Sequence, residues 1–269
     1  MKVNCELLDH QFTLETAPKR VISLVSGLTE SLFELGCGDR VAGVSSYCNR
    51  YVPNLDKPVA GDYLRIDEEL FEDLNPDLVL VTAGVQLKLA RKLAARGLPV
   101  YALPLPGSIH GILENILTLG ALMNETRTAH KLVENMTREI ANLANSRPEK
   151  PPRVYVELWF GKHMRTIGGR TFIHDIVSLA GGDPVFADIP QAYPVPDLGR
   201  VMELNPDKAV FFQEPDYPVN VQKLLKERGW ENLFPQGIIE STVERGRNLI
   251  HDGPSALETA RWLATELSR

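Results

Sequence analysis

Cysteine is scarce in this chain. Cys5, Cys37 and Cys48 are the three present in 269 residues, an odd number with no Cys-x-x-Cys spacing among them. That excludes a disulfide framework and argues against a structural zinc site, and leaves small buried thiols as the reading. Positive charge is also in deficit. Lys plus Arg is 29 against 35 Asp plus Glu, for a formal charge of −6. With no long basic run, the sequence offers little to neutralise phosphates, so nucleic acid is not expected as a partner. No apolar run approaches the ~20 residues of a membrane span. The opening MKVNCELLDHQFTLETAPKR is charged throughout and lacks the apolar stretch of a secretory signal.

Catalytic and metal signatures are missing too. The six histidines, His10, His110, His130, His163, His174 and His251, form no paired-ligand spacing. Gly107-Ser108-Ile109-His110-Gly111 looks like a nucleophile elbow but has the wrong spacing. Gly168-Gly169-Arg170-Thr171 lacks the lysine of a phosphate loop and reads as a turn with Thr171 capping a helix. The expectation is a protein that is not an enzyme and has no intrinsic cofactor.

What is present is ordinary globular composition, 43% hydrophobic and 24% charged, in a chain long enough for two units. Arg20–Ser26 is a short β-branched run that predicts a buried strand. Thr29 is the expected cap of the helix after it, and Gly36-Cys37-Gly38-Asp39 its stop. Strands follow at Val41–Val44, Asp77–Val81 and Val100–Leu103, with a loop from Ser45 to Leu64 and helices over Asp67–Leu74 and Gln86–Arg96. Strands alternating with helices point to parallel pairing. Apolar residues then recur at helical spacing from Ile109 to Gly120 and again from Ala129 to Leu143. The second of these helices, about Asn124 to Ser146, would be ~33 Å long at 1.5 Å per residue. It leads into the proline-rich stretch Arg147–Pro152.

After that stretch the pattern restarts. A strand is expected over Arg153–Leu158, helices over Thr171–Leu179 and Leu198–Leu204, a strand over Lys208–Phe212, and a final helix over Pro254–Leu267. Leu-Asn-Pro-Asp occurs at Leu74–Asp77 and again at Leu204–Asp207, each time between a helix and a strand. A helix ending in a glycine-rich turn with Asp occurs at Leu35–Asp39 and at Leu179–Asp183. The same elements in the same order predict a duplicated unit. The expected architecture is therefore α/β: two Rossmann-like lobes with central parallel sheets, residues 1–122 and 151–269, joined by one long helix with its proline-rich exit over 123–150. A cleft between two such lobes is the expected ligand site.

The runs VISLVSGLTESLFELGCGDRVAGVSSYCNRYVP, ELFEDLNPDLVLV and TIGGRTFIHDIVSLAGGDPVFAD resemble the substrate-binding proteins of ABC importers for cobalamin and ferric siderophores, and within that group the cobalamin-binding branch. The resemblance covers about Pro18 to Leu267. It implies a bilobal monomer with a single helical connector, little hinge motion, and a bulky ligand held between the lobes against aromatic side chains. It also implies site residues. Tyr47 matches a ligand-contacting tyrosine, and Tyr63 and Tyr193 stand where the family has tryptophans. Trp159 and Phe160 fall near a contacting phenylalanine. Thr82 stands in place of a third tryptophan, and Ser241 in place of an aspartate. Glu69 matches one of two carboxylates that dock on arginines of a dimeric ABC permease. The second position is Gly199, with Asp197 and Glu203 as nearby substitutes.

Two further residues are singled out by their place beside an apolar strand. In Gly161-Lys162-His163-Met164-Arg165, His163 is a candidate ligand for cobalt or haem iron, and Arg165 for a carboxylate or phosphate of the ligand. A solvated hairpin turn is the plainer alternative, as packing of the lobe surface is for the tyrosines. The ligand expected first is a corrinoid such as cobalamin, whose broad face suits aromatic contacts. The alternatives are a ferric siderophore or haem, and a cytosolic carrier or modifier of a corrinoid that is not coupled to import. The resemblance places the chain outside the cytoplasm, and the charged N-terminus leaves a cytoplasmic placement open beside it.

Overall fold

The computed structural model describes residues 1–269 in full. It divides into two compact units, and the main division falls inside one helix, between Met136 and Thr137. The short pieces Gly107–His110 and Asp252–Pro254 belong to the second and first unit respectively.

The first unit opens with an antiparallel hairpin, β1 (Lys2–Cys5) and β2 (His10–Thr13). Then come β3 (Val21–Ser23), α1 (Ser26–Glu34), β4 (Val41–Ser45), β5 (Val59–Gly61), α2 (Glu68–Leu74), β6 (Leu78–Thr82), α3 (Leu87–Ala95), β7 (Val100–Leu103) and α4 (Ile109–Leu122). The helix α5 (Thr126–Asn145) carries the chain across the division. The sheet runs β5-β4-β3-β6-β7, and every neighbouring pair is parallel. Such a sheet is covered on both faces, so its strands are continuously apolar rather than alternating. β6, Leu-Val-Leu-Val-Thr, is buried at every position. Chain order reverses beside β3, which makes the carboxyl ends of β3 and β6 the switch point where open α/β sheets take ligands.

The second unit contains β8 (Arg153–Phe160), β9 (His163–Arg165), α6 (Phe172–Leu179), β10 (Asp183–Pro184), α7 (Leu198–Leu204), β11 (Lys208–Gln213), α8 (Val221–Arg228), β12 (Ile238–Ser241) and α9 (Ala256–Leu267). Its sheet is parallel in the order β10-β8-β11-β12, with β9 antiparallel on β8. An aromatic cluster packs one side. Tyr155 meets Phe186, Phe211 and Trp230 edge-on and stacks on Phe234.

The two Leu-Asn-Pro-Asp runs do the same job in their own units. Each helix before them is seven residues long and capped by an aspartate, Asp67 on α2 and Asp197 on α7. Each ends on a left-handed asparagine, Asn75 at φ 41° and Asn205 at φ 46°, a conformation asparagine tolerates better than most residues. The proline blocks another helical turn. The final aspartate then clasps the start of the neighbouring parallel strand. Asp77 accepts from the backbone N–H of Lys19 and Arg20 at 2.8 Å each, and Asp207 from that of Arg153 at 2.7 Å. The glycine stops match as well. Gly36 (φ 74°) follows α1 and Gly181 (φ 90°) follows α6. Cys37 N–H reaches back to Leu32 O and Gly182 N–H to Val177 O, the C-cap in which the reversed residue must be free of Cβ strain.

Two expectations change and one holds. Thr29 does not cap α1, which begins three residues earlier at Ser26; its hydroxyl lies inside the helix and donates to Val25 O and Ser23 Oγ. Thr171 does cap α6, accepting from His174 N–H at 2.9 Å. The stretch Ser45–Leu64 is not all loop, because Val59–Gly61 pairs with β4 as an edge strand.

Candidate functional site

In the first unit the candidate residues lie where the parallel strands end. Tyr47 is in the turn after β4, and Tyr63 in the loop after β5. Their rings stack with centroids 5.0 Å apart and planes 19° from parallel, and the Arg50 guanidinium lies 5.1 Å from the Tyr47 centroid. Such contacts exploit the negative face of an aromatic ring and favour offset stacks and a cation above. Tyr63 leaves part of its ring in solvent but encloses its hydroxyl. Burial pushes that phenol far above its ordinary range, partly offset by a hydrogen bond with Ser26. It is therefore a neutral phenol under all physiological conditions.

Thr82, at the end of β6, is buried. Its N–H donates to Gln86 Oε1 at 2.9 Å, and Gln86 Nε2 donates to Leu24 O at 3.2 Å. Gln86, fully buried, thus bridges the ends of β6 and β3 and closes the switch point. Nothing in the sequence marks Gln86, because a lone glutamine at a helix start has no distinguishing spacing. Glu69 is exposed on the first turn of α2 and pairs with no side chain. Its neighbour Glu68 is different. Hydrogen bonds from Lys92 (2.9 Å) and then Arg96 (2.6 Å) hold its carboxyl below the usual range.

In the second unit Trp159 and Phe160 end β8, and the period of two sends them to opposite faces. Phe160 meets Tyr193 edge-on, with centroids 6.1 Å apart. Trp159 turns the other way and donates its indole N–H to Glu157 Oε1 at 2.7 Å. The two are therefore not one aromatic surface, although they adjoin in sequence. The run Gly161–Arg165 is the turn and return strand of a hairpin. Gly161 has φ 58° and donates its N–H to Glu214 Oε2. His163 is exposed opposite Phe160. Arg165 donates to Met164 O at 2.8 Å.

Ser241 ends β12. Its hydroxyl donates to Arg247 O at 2.7 Å and accepts from Leu249 N–H at 3.1 Å, closing the loop between them. Its capacity is used within the unit. Gly199 sits on α7 where Glu69 sits on α2, two residues after the capping aspartate. Asp197 caps that helix, its Oδ1 accepting from Gly199 and Arg200 N–H. Glu203 is exposed near the end of α7.

No three His, Cys, Asp or Glu side chains are grouped to hold a metal ion. No helix is long and apolar enough to cross a membrane. Two parallel α/β units with aromatic rims, built on one joint used twice, define a ligand-binding protein. The family model described as "Periplasmic binding protein" matches residues 21–235, and the chain belongs to that family, whose members bind solutes and are not enzymes. A curated relative, a cobalamin-binding protein of Halobacterium salinarum, is 29% identical over 213 residues, 77% of this chain and 55% of the relative. The match thus spans about half of that relative's length. Among solved structures, a periplasmic haem-binding protein of Vibrio cholerae superposes with a TM-score of 0.78 at 22% identity, covering 93% of this chain and 98% of the other. The periplasmic vitamin B12-binding protein of the same organism gives 0.72 at 21%, covering 94% and 97%. These likenesses establish the helical-backbone periplasmic-binding-protein fold.

Proposed function

We propose that this chain binds a bulky, cofactor-like molecule, a cobalamin or related corrinoid first, through the aromatic side chains at the carboxyl ends of its sheets, and delivers it to an ABC importer. The observation that carries the reading is the Tyr47–Tyr63 stack at the carboxyl ends of β4 and β5. Two rings already held against each other offer wide contact area and lose little side-chain freedom when a ligand arrives. Phe160 and Tyr193 supply a second aromatic edge in the other unit. The name of the Halobacterium salinarum relative supports a corrinoid. Titration with cyanocobalamin in a calorimeter is the test. Binding at micromolar concentrations is expected, and no heat at tens of micromolar from folded protein would remove the corrinoid.

A ferric siderophore or haem is the second reading. Arg50 lies over Tyr47, and Arg65, two residues after Tyr63, is exposed. Both suit an anionic chelate. Haemin and a ferric catecholate chelate, titrated under the same conditions, separate the two readings by rank of affinity. Glu69 is the proposed docking residue on the permease.

A further inference from the structure

We propose that Glu157 and Arg228 are positioning residues that fix the hairpin arm Trp159–Arg165, so that the second unit meets its ligand with a preformed arm. The starting point is a buried charge that stability alone does not account for. The Glu157 side chain has no exposure and that of Arg228 has 11%. Buried ion pairs are commonly no more stabilising than apolar side chains of the same volume. This one is also fully engaged. Oε1 accepts from the Trp159 indole at 2.7 Å, while Oε2 accepts from the Tyr155 hydroxyl at 2.6 Å and from Arg228 at 2.7 Å.

Arg228 carries the link onward. Its other terminal nitrogen lies 3.0 Å from Met164 Sδ, and its guanidinium sits 4.9 Å from the Trp230 ring centroid. Trp159 and Met164 face each other across the β8–β9 pair. One buried carboxylate and its cation therefore grip both strands of the arm at the same level. Pairing of β8 with β11 ends at Trp159 and Gln213, and beyond it the turn exposes Lys162 and His163 at the tip. A hydrocarbon in place of Glu157 would fill the space but leave the indole N–H unanchored. Tyr155, Glu157 and Trp159 share a strand face at period two, which places anchor and anchored group within reach.

The ligand half of this inference rests on the proposed function; the anchoring half does not. With ¹⁵N-labelled indoles, the Trp159 N–H signal, identified by its loss in Trp159→Phe, reports the anchor directly. In Glu157→Leu its hydrogen exchange should speed up at least tenfold, and affinity for cyanocobalamin should fall at least fivefold, with the circular dichroism spectrum unchanged. Exchange within twofold of the parent overturns the proposal, and so does faster exchange with unchanged affinity. Should Glu157→Leu fail to fold, Arg228→Lys is read by the same two criteria, because an ammonium cannot span the carboxylate and the thioether together. Should the parent bind none of cyanocobalamin, haemin and the ferric catecholate chelate, the functional reading falls. Indole exchange then decides the anchoring alone, with slow exchange in the parent and fast exchange in the variant supporting it, and equal rates ending it.

Discussion

Tyr63 divides its work between ring and hydroxyl. The ring stacks on Tyr47 while the hydroxyl is enclosed and bonded to Ser26. Truncation to alanine removes the stack, and we expect Tyr63→Ala to weaken ligand binding by about 1–3 kcal/mol, as for a central aromatic anchor. Tyr63→Phe keeps the ring and should bind within about threefold of the parent, since an uncharged hydrogen bond contributes only about 1 kcal/mol, mostly to folding. Calorimetry on both variants checks this, and equal loss in the two would show that the hydroxyl and not the face meets the ligand. Buried acids also set a pH limit. Burial raises the Cys48 thiol above its ordinary 9.0, and Tyr63 and Tyr155 above their ordinary 10.0. Above pH 9 the unfolded chain therefore releases protons that the folded chain keeps, and stability falls as pH rises. The lowered Lys208, also desolvated by burial, acts in the opposite sense. Thermal unfolding from pH 7 to 10.5 should show a falling Tm, with a shallower decline in Cys48→Ala.

Some of these residues announce themselves and others do not. Tyr47 and Tyr63 come to notice through the family resemblance, and the structure adds the stack between them. Glu157 does not come to notice, because a strand reading Val-Tyr-Val-Glu-Leu-Trp suggests one wet face at period two, whereas both faces here are covered.

The joint at Asp67–Asp77 and Asp197–Asp207 shows how an element can be read from four letters. Leu-Asn-Pro-Asp encodes a reversed cap, a block and a clasp in order, and all three take place in both units. Removing the clasp in Asp77→Ala or Asp207→Ala should cost about 0.5–1.5 kcal/mol, since the freed amides stand near water. Denaturant midpoints measure it, and Asp77, which holds two amides, should cost more. At the cap, Asn75→Gly should be nearly neutral and Asn75→Val should cost about 1–2 kcal/mol, because a β-branched residue resists a positive φ. Elements with weaker punctuation escaped. The strand β12 follows a loop and has only four residues, and β5 has three. The helix α8, Val-Gln-Lys-Leu-Leu-Lys-Glu-Arg, buries only Val221 and Leu225, too thin a stripe to stand out. Thr29 was misplaced because Ser26-Gly27 resembles a loop more than a first helical turn.

For the molecule as a whole, ligand binding and folding are coupled through mass action. A ligand at about 100 times its Kd adds about 2.7 kcal/mol to the stability of whatever binds it. Cyanocobalamin at that excess should raise the Tm of the intact chain, and one raised transition beside one unmoved would locate the binding in a single unit. Glu69→Ala should leave that shift and the calorimetric affinity unaltered while reducing uptake through a reconstituted permease. Lost ligand affinity in Glu69→Ala would contradict the docking role.

Position 199 has a further meaning for anyone wishing to tune this protein. A Cβ there would meet nothing closer than Asp197 Oδ1 at 3.4 Å, so the helix holds an open socket where its counterpart carries an acid. Gly199→Glu should fit without repacking and firm the first turn, because glycine is the poorer helix former and a carboxylate suits that end. Under the proposed docking role of Glu69, a second acid at the matching place would strengthen the hold on a permease, and one substitution would tune it.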